Sequence, residues 1–214
     1  MYFFLCTMAF SALNRRAWLT SGIFGGILSA TRFVGIGFAL SYLIAFPQTL
    51  LKQDQSRPRY LLGLLICPLG LAVFTTYLYY LVGDAFAFKH VLVAWGRREI
   101  SSPINSLEAG LWAGGWQRYF AITAIFSFMM SGWLTFRRRF QYAIFLAIVT
   151  LPAVSLGPLD SMPRYVWWQM PLLLGVVELL SKNKLICAAY FIASVCWAIF
   201  MTVSWFGGGG RFVT

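Results

Sequence analysis

The sequence is short of acids. Six aspartates and glutamates stand against seventeen lysines and arginines in 214 residues, and charged residues of either sign make up only 11% of the chain. Soluble domains carry about a quarter charged residues, so an aqueous globular fold is excluded, and the mean hydropathy of +0.74 agrees. Histidine is limited to His90, which cannot build a metal site alone, and no carboxylate pair lies near it at ligand spacing. The four cysteines, Cys6, Cys67, Cys187 and Cys196, all sit in apolar stretches without a CxxC spacing. They read as small packing residues, not as a disulfide framework or a metal site. Internal repeats are lacking, and so is any polar segment large enough for a soluble domain. Low complexity is confined to the glycines at 207–210, which read as a flexible end. The opening MYFFLCTMAFSALNRR has neither a basic leading region nor a small-residue cleavage site, so it reads as a membrane segment and not as a signal peptide.

What the chain does have is apolar length. Apolar segments run over 2–13, 17–31, 33–50, 60–82, 109–135, 140–156, 164–181 and 185–206. A helix of about 20 such residues crosses about 30 Å of hydrocarbon, and in lipid the backbone has to satisfy its own hydrogen bonds. The fold class expected is therefore all-α: a polytopic transmembrane helical bundle of 7–8 segments, with 1–214 a single transmembrane domain and 83–108 an external amphipathic loop. The net charge of +11 is gathered in short clusters between apolar runs and not on one face, which points to topology and away from nucleic acid. The basic loops are 14–16, 52–59, 137–139 and 182–184; those at 31–32, 83–108, 157–163 and beyond 207 are near neutral or carry single cations. Strict alternation of the two kinds predicts crossings with both ends outside. It requires 17–50 to be a hairpin turning at Thr31-Arg32, a tilted single helix being the alternative. Gly22, Gly25, Gly26, Gly35, Gly37 and Pro47 suit close-packed or broken helices there.

This topology collects the unusual residues on the outward face: TRFVG (31–35), GDAFAFKHVLVAWGRRE (83–99), GPLDSMPRY (157–165) and WFGGGGRF (205–212). Ionisable groups at membrane depth are expensive, and by default they mark a site. Arg32 has no opposite charge within a helical turn in sequence. It either snorkels to headgroups or grips an anionic group, most simply a lipid phosphate. Over 84–98, Phe88, Leu92 and Trp95 fall on one helical stripe with Lys89 and Arg97 displaced from it, predicting an amphipathic interfacial helix. That helix is either a plain connector or, through Trp95 and Arg97, a sugar and phosphate contact. Pro158 and Pro163 bracket a non-helical loop, and Arg164 and Tyr165 open the next helix. Asp160 either neutralises Arg164 or shares with it one wall of an outward cavity for an anionic ligand. Asp84 is a weaker candidate of the same kind.

Three stretches, "NRRAWLTSGIFGG" running into "SATRFVGIGFAL", then "GDAFAFKHVLVAWGRRE", then "SMPRYVWWQMPLLLGVVELLSKNK", taken in this order and spacing, resemble the PIG-V-like mannosyltransferases, glycosyltransferases of the GT-C class related to GPI mannosyltransferase 2. The resemblance spans about residues 2–206. It implies a GT-C-like architecture and transfer of mannose or a related hexose from a polyprenyl- or dolichyl-phosphate sugar, on the non-cytoplasmic face, to a lipid-linked or other acceptor. The lipid-phosphate sugar is then the donor substrate, and no metal or further cofactor is implied. It also implies that Arg32, Arg97 or Arg164 steadies the departing phosphate. The family's catalytic carboxylate belongs to an external loop with no counterpart here, so none of the six acids is assigned as the general base and the catalytic residue is unknown. The chain resembles the carboxy-terminal portion of such an enzyme, through truncation, a split gene or a misplaced start; the split-gene reading implies a partner protein supplying the amino-terminal half, and membrane lipids are the other expected partner. Both a bacterial inner membrane and an endoplasmic-reticulum membrane would place this face away from cytoplasm, and short loops and small size point to the bacterial one. The other function classes are a non-catalytic membrane subunit binding a lipid-linked sugar or a partner protein, and a transporter of lipid-like substrates. The transporter is disfavoured because the charges gather at one face and not at mid-membrane.

Overall fold

The computed structural model describes residues 1–45, 57–91, 102–156, 159–160, 162–181 and 183–206. Among these residues every regular element is helical: α1 (Tyr2–Asn14), α2 (Trp18–Thr31), a 3-10 turn (Phe33–Ile36) running into α3 (Gly37–Ile44), α4 (Arg57–Val82), the short α5 (Ala87–His90), α6 (Pro103–Ala113), α7 (Gly115–Phe136), α8 (Phe140–Ser155), α9 (Met162–Val166), α10 (Met170–Leu180) and α11 (Lys184–Phe206). The chain divides into two compact units, Met1–Leu172 and Leu173–Thr214. In the second, the Asn183 side-chain oxygen accepts from the Leu185 N–H at 2.9 Å, so the asparagine caps α11.

Small residues organise the first unit. Helix α2 lies against α4 backbone to backbone: a Cβ built on Gly22 would come within 2.5 Å of Gly63 Cα, one on Gly63 within 2.6 Å of the Trp18 carbonyl oxygen, and one on Gly70 would overlap the Gly26 carbonyl oxygen. In lipid there is no hydrophobic drive between helices, so association depends on such close backbone approach and on polar bridges across the seam. Ser29 supplies the bridge. Its hydroxyl accepts from the Leu71 N–H at 3.1 Å, and its one proton is shared between the carbonyls of Cys67 and Gly26, each 2.8 Å away. It does so just beyond Pro68, which removes a donor from the interior of α4. Ser29→Ala is expected to destabilise the protein by about 1–2 kcal/mol, because the bridged groups stay buried without the hydroxyl. A lowered melting temperature in detergent, with the helical circular dichroism unchanged at low temperature, is the result to look for.

On the other side of the seam, Phe10 meets Phe38 and Phe145 edge to face at 5.0 and 5.3 Å. This joins α1, α3 and α8 through rings that are fully buried. Near the opposite end of α2, Trp18, Tyr42 and Tyr60 pack together, with the Tyr42 hydroxyl donating to the Trp18 carbonyl and the Tyr60 hydroxyl to the Tyr42 carbonyl, both at 3.0 Å. Cys6 and Cys67 are buried free thiols.

Helices α4 and α7 are long and apolar enough to cross a membrane. Only 11% of the most apolar window of α4 is buried inside the protein. Leu61, Leu62, Leu65, Leu69, Val73 and Tyr80 are all more than half exposed along it. A core helix of a water-soluble protein would be covered instead.

The segment at 17–50 breaks where the hairpin reading requires. Helix α2 ends at Thr31, Arg32 is extended (φ −151°, ψ 134°), and the chain resumes as a 3-10 turn whose Gly35 lies on the Leu28 carbonyl. Two expected segments need correcting. The run 109–135 is not one helix: α6 stops at Ala113 and α7 starts at Gly115, because Gly114 takes φ 74°, a left-handed conformation that ends a helix. The run 164–181 is interrupted between Val166 and Met170, so Arg164 and Tyr165 lie inside a five-residue helix and do not open the long one. Of the amphipathic helix expected over 84–98, the described part is only the turn Ala87–His90, and 92–98 lies outside the described residues.

Candidate functional site

The break after α2 leaves Arg32 on extended backbone at one end of the first unit. Its guanidinium carbon lies 5.4 Å from the centre of the Tyr2 ring and 5.3 Å from that of Tyr165. Its Nη1 donates to the Arg164 carbonyl at 3.0 Å. A cation held by two ring faces and one carbonyl keeps its full charge, and among the described residues no carboxylate is paired with Arg32. Arg32 is half-buried as a residue while its bond to the Arg164 carbonyl is exposed, so its remaining N–H donors are reachable.

The neighbourhood is polar and tied together. Gln169 is fully buried and donates from Nε2 to the Tyr165 carbonyl at 2.8 Å, and its side chain lies against that of Tyr2, whose hydroxyl is also buried. Asp160 accepts from Gln117 Nε2 at 2.7 Å, fastening the segment before α9 to the start of α7. Arg118, the next residue on α7, is exposed and donates from Nε to the Leu111 carbonyl at 3.0 Å, across the Gly114 break.

Beside Arg32, Phe33 forms part of an apolar groove of about 510 Å³ that also involves Phe86, Phe88, Pro152 and Leu156, with Lys89, His90 and Ser155 at polar positions. Phe33 and Phe88 have ring centres 6.0 Å apart, which joins the turn after α4 to the turn after α2. The α5 turn is held by Asp84, whose Oδ1 accepts from the Phe86 N–H at 2.9 Å and whose Oδ2 lies 2.6 Å from His90 Nδ1. The hydrogen bond to His90, then the one from Phe86, holds the Asp84 carboxyl below the usual carboxylate range. A depressed carboxyl stabilises the folded form above its unfolded value, about 3.9 for aspartate, and that contribution is lost as pH falls through the lower folded value. The Phe86 amide is therefore expected to be protected from hydrogen exchange at pH 6 and to lose that protection as pH falls below the usual carboxylate range. Asp84→Asn at pH 6 should show less Phe86 protection than the wild type at the same pH, because the charge-assisted bonds weaken.

Of the residues singled out in the sequence, Arg32, the Arg164 backbone and Tyr165 meet directly, and Asp160 sits next to them in the chain with Gln117 as its partner. Asp84 belongs to the groove turn and not to the arginine cradle. Trp95 and Arg97 lie outside the described residues. Sequence reasoning missed Tyr2, Gln117, Arg118 and Gln169. Tyr2 is hidden in an apolar run and Gln169 in a helix start, and only Gln117-Arg118, polar residues just after Gly114-Gly115, carried a local signal. Among the described residues no group of three or more His, Cys, Asp or Glu side chains is placed to hold a metal ion. Comparison with family models, with curated proteins and with solved structures finds no match, so the functional reading rests on the residues themselves.

Proposed function

We propose that the chain is a polytopic membrane protein that binds a lipid-linked sugar phosphate at the Arg32 end, as part of a mannosyltransferase-like glycosyltransferase of the GT-C class. The observation that carries this reading is the pairing of a half-buried arginine, cradled by Tyr2 and Tyr165, with an adjoining apolar groove of about 510 Å³. A polyprenyl-phosphate sugar needs both: a forked cation for its phosphate and a greasy channel for its first isoprene units. The exposed apolar faces of α4 and α7 support immersion in lipid, and the shorter apolar helices supply the further crossings that a bundle of seven or eight segments requires. In that bundle the basic turns at Arg15-Arg16 and 137–139 mark the cytoplasmic side, which leaves Arg32 on the non-cytoplasmic one.

During transfer the lipid phosphate departs with a growing negative charge. Arg32 is placed to steady it, and the ring faces hold the guanidinium so that little reorganisation is needed. A general base for the acceptor hydroxyl is not assigned. Asp84 is engaged by His90 and the Phe86 N–H, and Asp160 by Gln117. That engagement favours a second reading, in which the chain is a non-catalytic subunit that holds the lipid-linked sugar for a partner protein. The two part in one experiment: the chain in proteoliposomes is given radiolabelled polyprenyl-phosphate mannose and total lipid acceptors. Label moving into a new product supports the enzyme, retention without transfer supports the subunit, and neither outcome sinks both.

A further inference from the structure

At the end of the first unit opposite Arg32, two turns share an unusual construction. Helix α1 closes with the Ala17 N–H on the Ala12 carbonyl at 2.9 Å and the Arg16 N–H on the Leu13 carbonyl at 3.0 Å. Helix α7 closes identically, with the Arg139 N–H on the Leu134 carbonyl at 2.8 Å and the Arg138 N–H on the Thr135 carbonyl at 2.9 Å. This crossed pair of bonds requires a left-handed residue, normally glycine, at the position after the cap. Here arginine stands there both times, with φ 56° at Arg16 and 57° at Arg138, and among the described residues these are the non-glycine positions with positive φ.

Cytoplasmic anchoring does not explain the choice. Arg15, Arg137 and Arg139 already place cations in these turns on ordinary backbone, so glycine at 16 and 138 would relieve strain and leave the topology signal in place. What the two strained arginines have in common is a cavity of about 420 Å³. Both line it, together with Arg139, Asn14, Gln141 and Tyr142, and among the described residues no carboxylate lines it. Asn14 donates to the Tyr142 hydroxyl across it, tying the α1–α2 turn to α8. Two arginines from separate turns, with amide side chains beside them and no acid among the described lining residues, suit a tetrahedral oxyanion. Backbone strain concentrated at one concave polar place is the usual mark of a binding site.

We infer that this cavity is a binding site for a phosphate group, held by Arg16 and Arg138, at the end opposite the Arg32 site and independent of it. The phosphate has two sources, the headgroup of an anionic phospholipid in the adjoining leaflet or a soluble phosphate. The test uses the full chain in detergent. Native mass spectrometry with equal amounts of phosphatidylglycerol and phosphatidylcholine reads the lipid source, and thermal protection by inorganic phosphate, with chloride at matched ionic strength as control, reads the soluble one. Retention of phosphatidylglycerol over phosphatidylcholine, or saturable protection by phosphate, is expected in the wild type. In Arg16→Gly/Arg138→Gly that affinity should fall by about tenfold or more as two charge-assisted contacts are lost. Over the same change the melting temperature should hold or rise, since glycine suits the left-handed backbone. A purely structural role predicts the reverse, a lower melting temperature. If the glycine pair does not fold, Arg16→Asn/Arg138→Asn serves, because asparagine is the side chain that best tolerates this conformation. A wild type that neither discriminates between the lipids nor responds to phosphate overturns the proposal, as does a folded double variant with unchanged affinity.

Discussion

Replacing Gly70 by valine is expected to eliminate folded protein. The first carbon of any side chain at 70 would occupy the space of the Gly26 carbonyl oxygen, and the Ser29 hydroxyl would lie 2.7 Å from it. Neither neighbour can give way. The first is backbone in the middle of α2, and the second bridges Cys67 and Leu71. The helices have to separate, which breaks the Ser29 bridge and the Gly22 to Gly63 contact together, so the cost exceeds about 4 kcal/mol, beyond the stability most single substitutions consume. The measurement is the yield of monodisperse protein from detergent by size-exclusion chromatography. Gly132→Val is the matched control: a side chain at 132 meets nothing within 4 Å, so the same substitution on α7 should leave the yield intact. Equal yields from the two variants would mean that α2 and α4 do not pack as described.

Arg32→Gln carries the second large effect. Glutamine keeps much of the length and removes the charge. The variant should bind a polyprenyl-phosphate hexose about 10–100-fold more weakly, the weight of one or two charge-assisted contacts to phosphate. It should also lose about 1–2 kcal/mol of stability, because the attraction of the guanidinium to the Tyr2 and Tyr165 faces goes with the charge. Binding is therefore read per folded molecule. Arg32→Lys separates charge from shape: lysine keeps the cation and lacks the planar fork that lies on two rings and donates to the Arg164 carbonyl at once. Partial recovery by lysine is expected. Full recovery would mean that only the charge matters, and the ring cradle would lose its role.

Helix ends proved legible where chemistry changes abruptly along the chain. The apolar run from Tyr2 stops at the basic turn after Asn14, that of α7 stops at Phe136 before three arginines, and Arg32 interrupts the glycine-rich stretch where α2 ends. Breaks inside uniformly apolar sequence were not legible, because membrane helices carry hydrophobic residues on every face and so lose the amphipathic period that marks an end in soluble proteins. Gly114-Gly115 still offered a local cue, since adjacent glycines punctuate helices. Pro163 and Pro171 each fall in the first turn of a helix, where proline is tolerated, and together they foretell the restart between α9 and α10. The site was half visible. Ionisable residues in oil stand out, so Arg32 and Arg164 drew attention, whereas Tyr2 is thirty positions from Arg32 and reaches it only through the packing of α1 on α2. The strained arginines at 16 and 138 looked like ordinary topology signals, because the left-handed backbone beneath them has no signature in composition.

The most direct measurement is equilibrium binding of a polyprenyl phosphate, against the matching polyprenol, to the full chain in nanodiscs of phosphatidylcholine. Saturable binding of the phosphate, little binding of the alcohol and loss of that difference in Arg32→Gln is the predicted result, because the cradle recognises phosphate and the groove alone only receives apolar chain. Equal binding of phosphate and alcohol, or a preference for phosphate that survives Arg32→Gln, would contradict it.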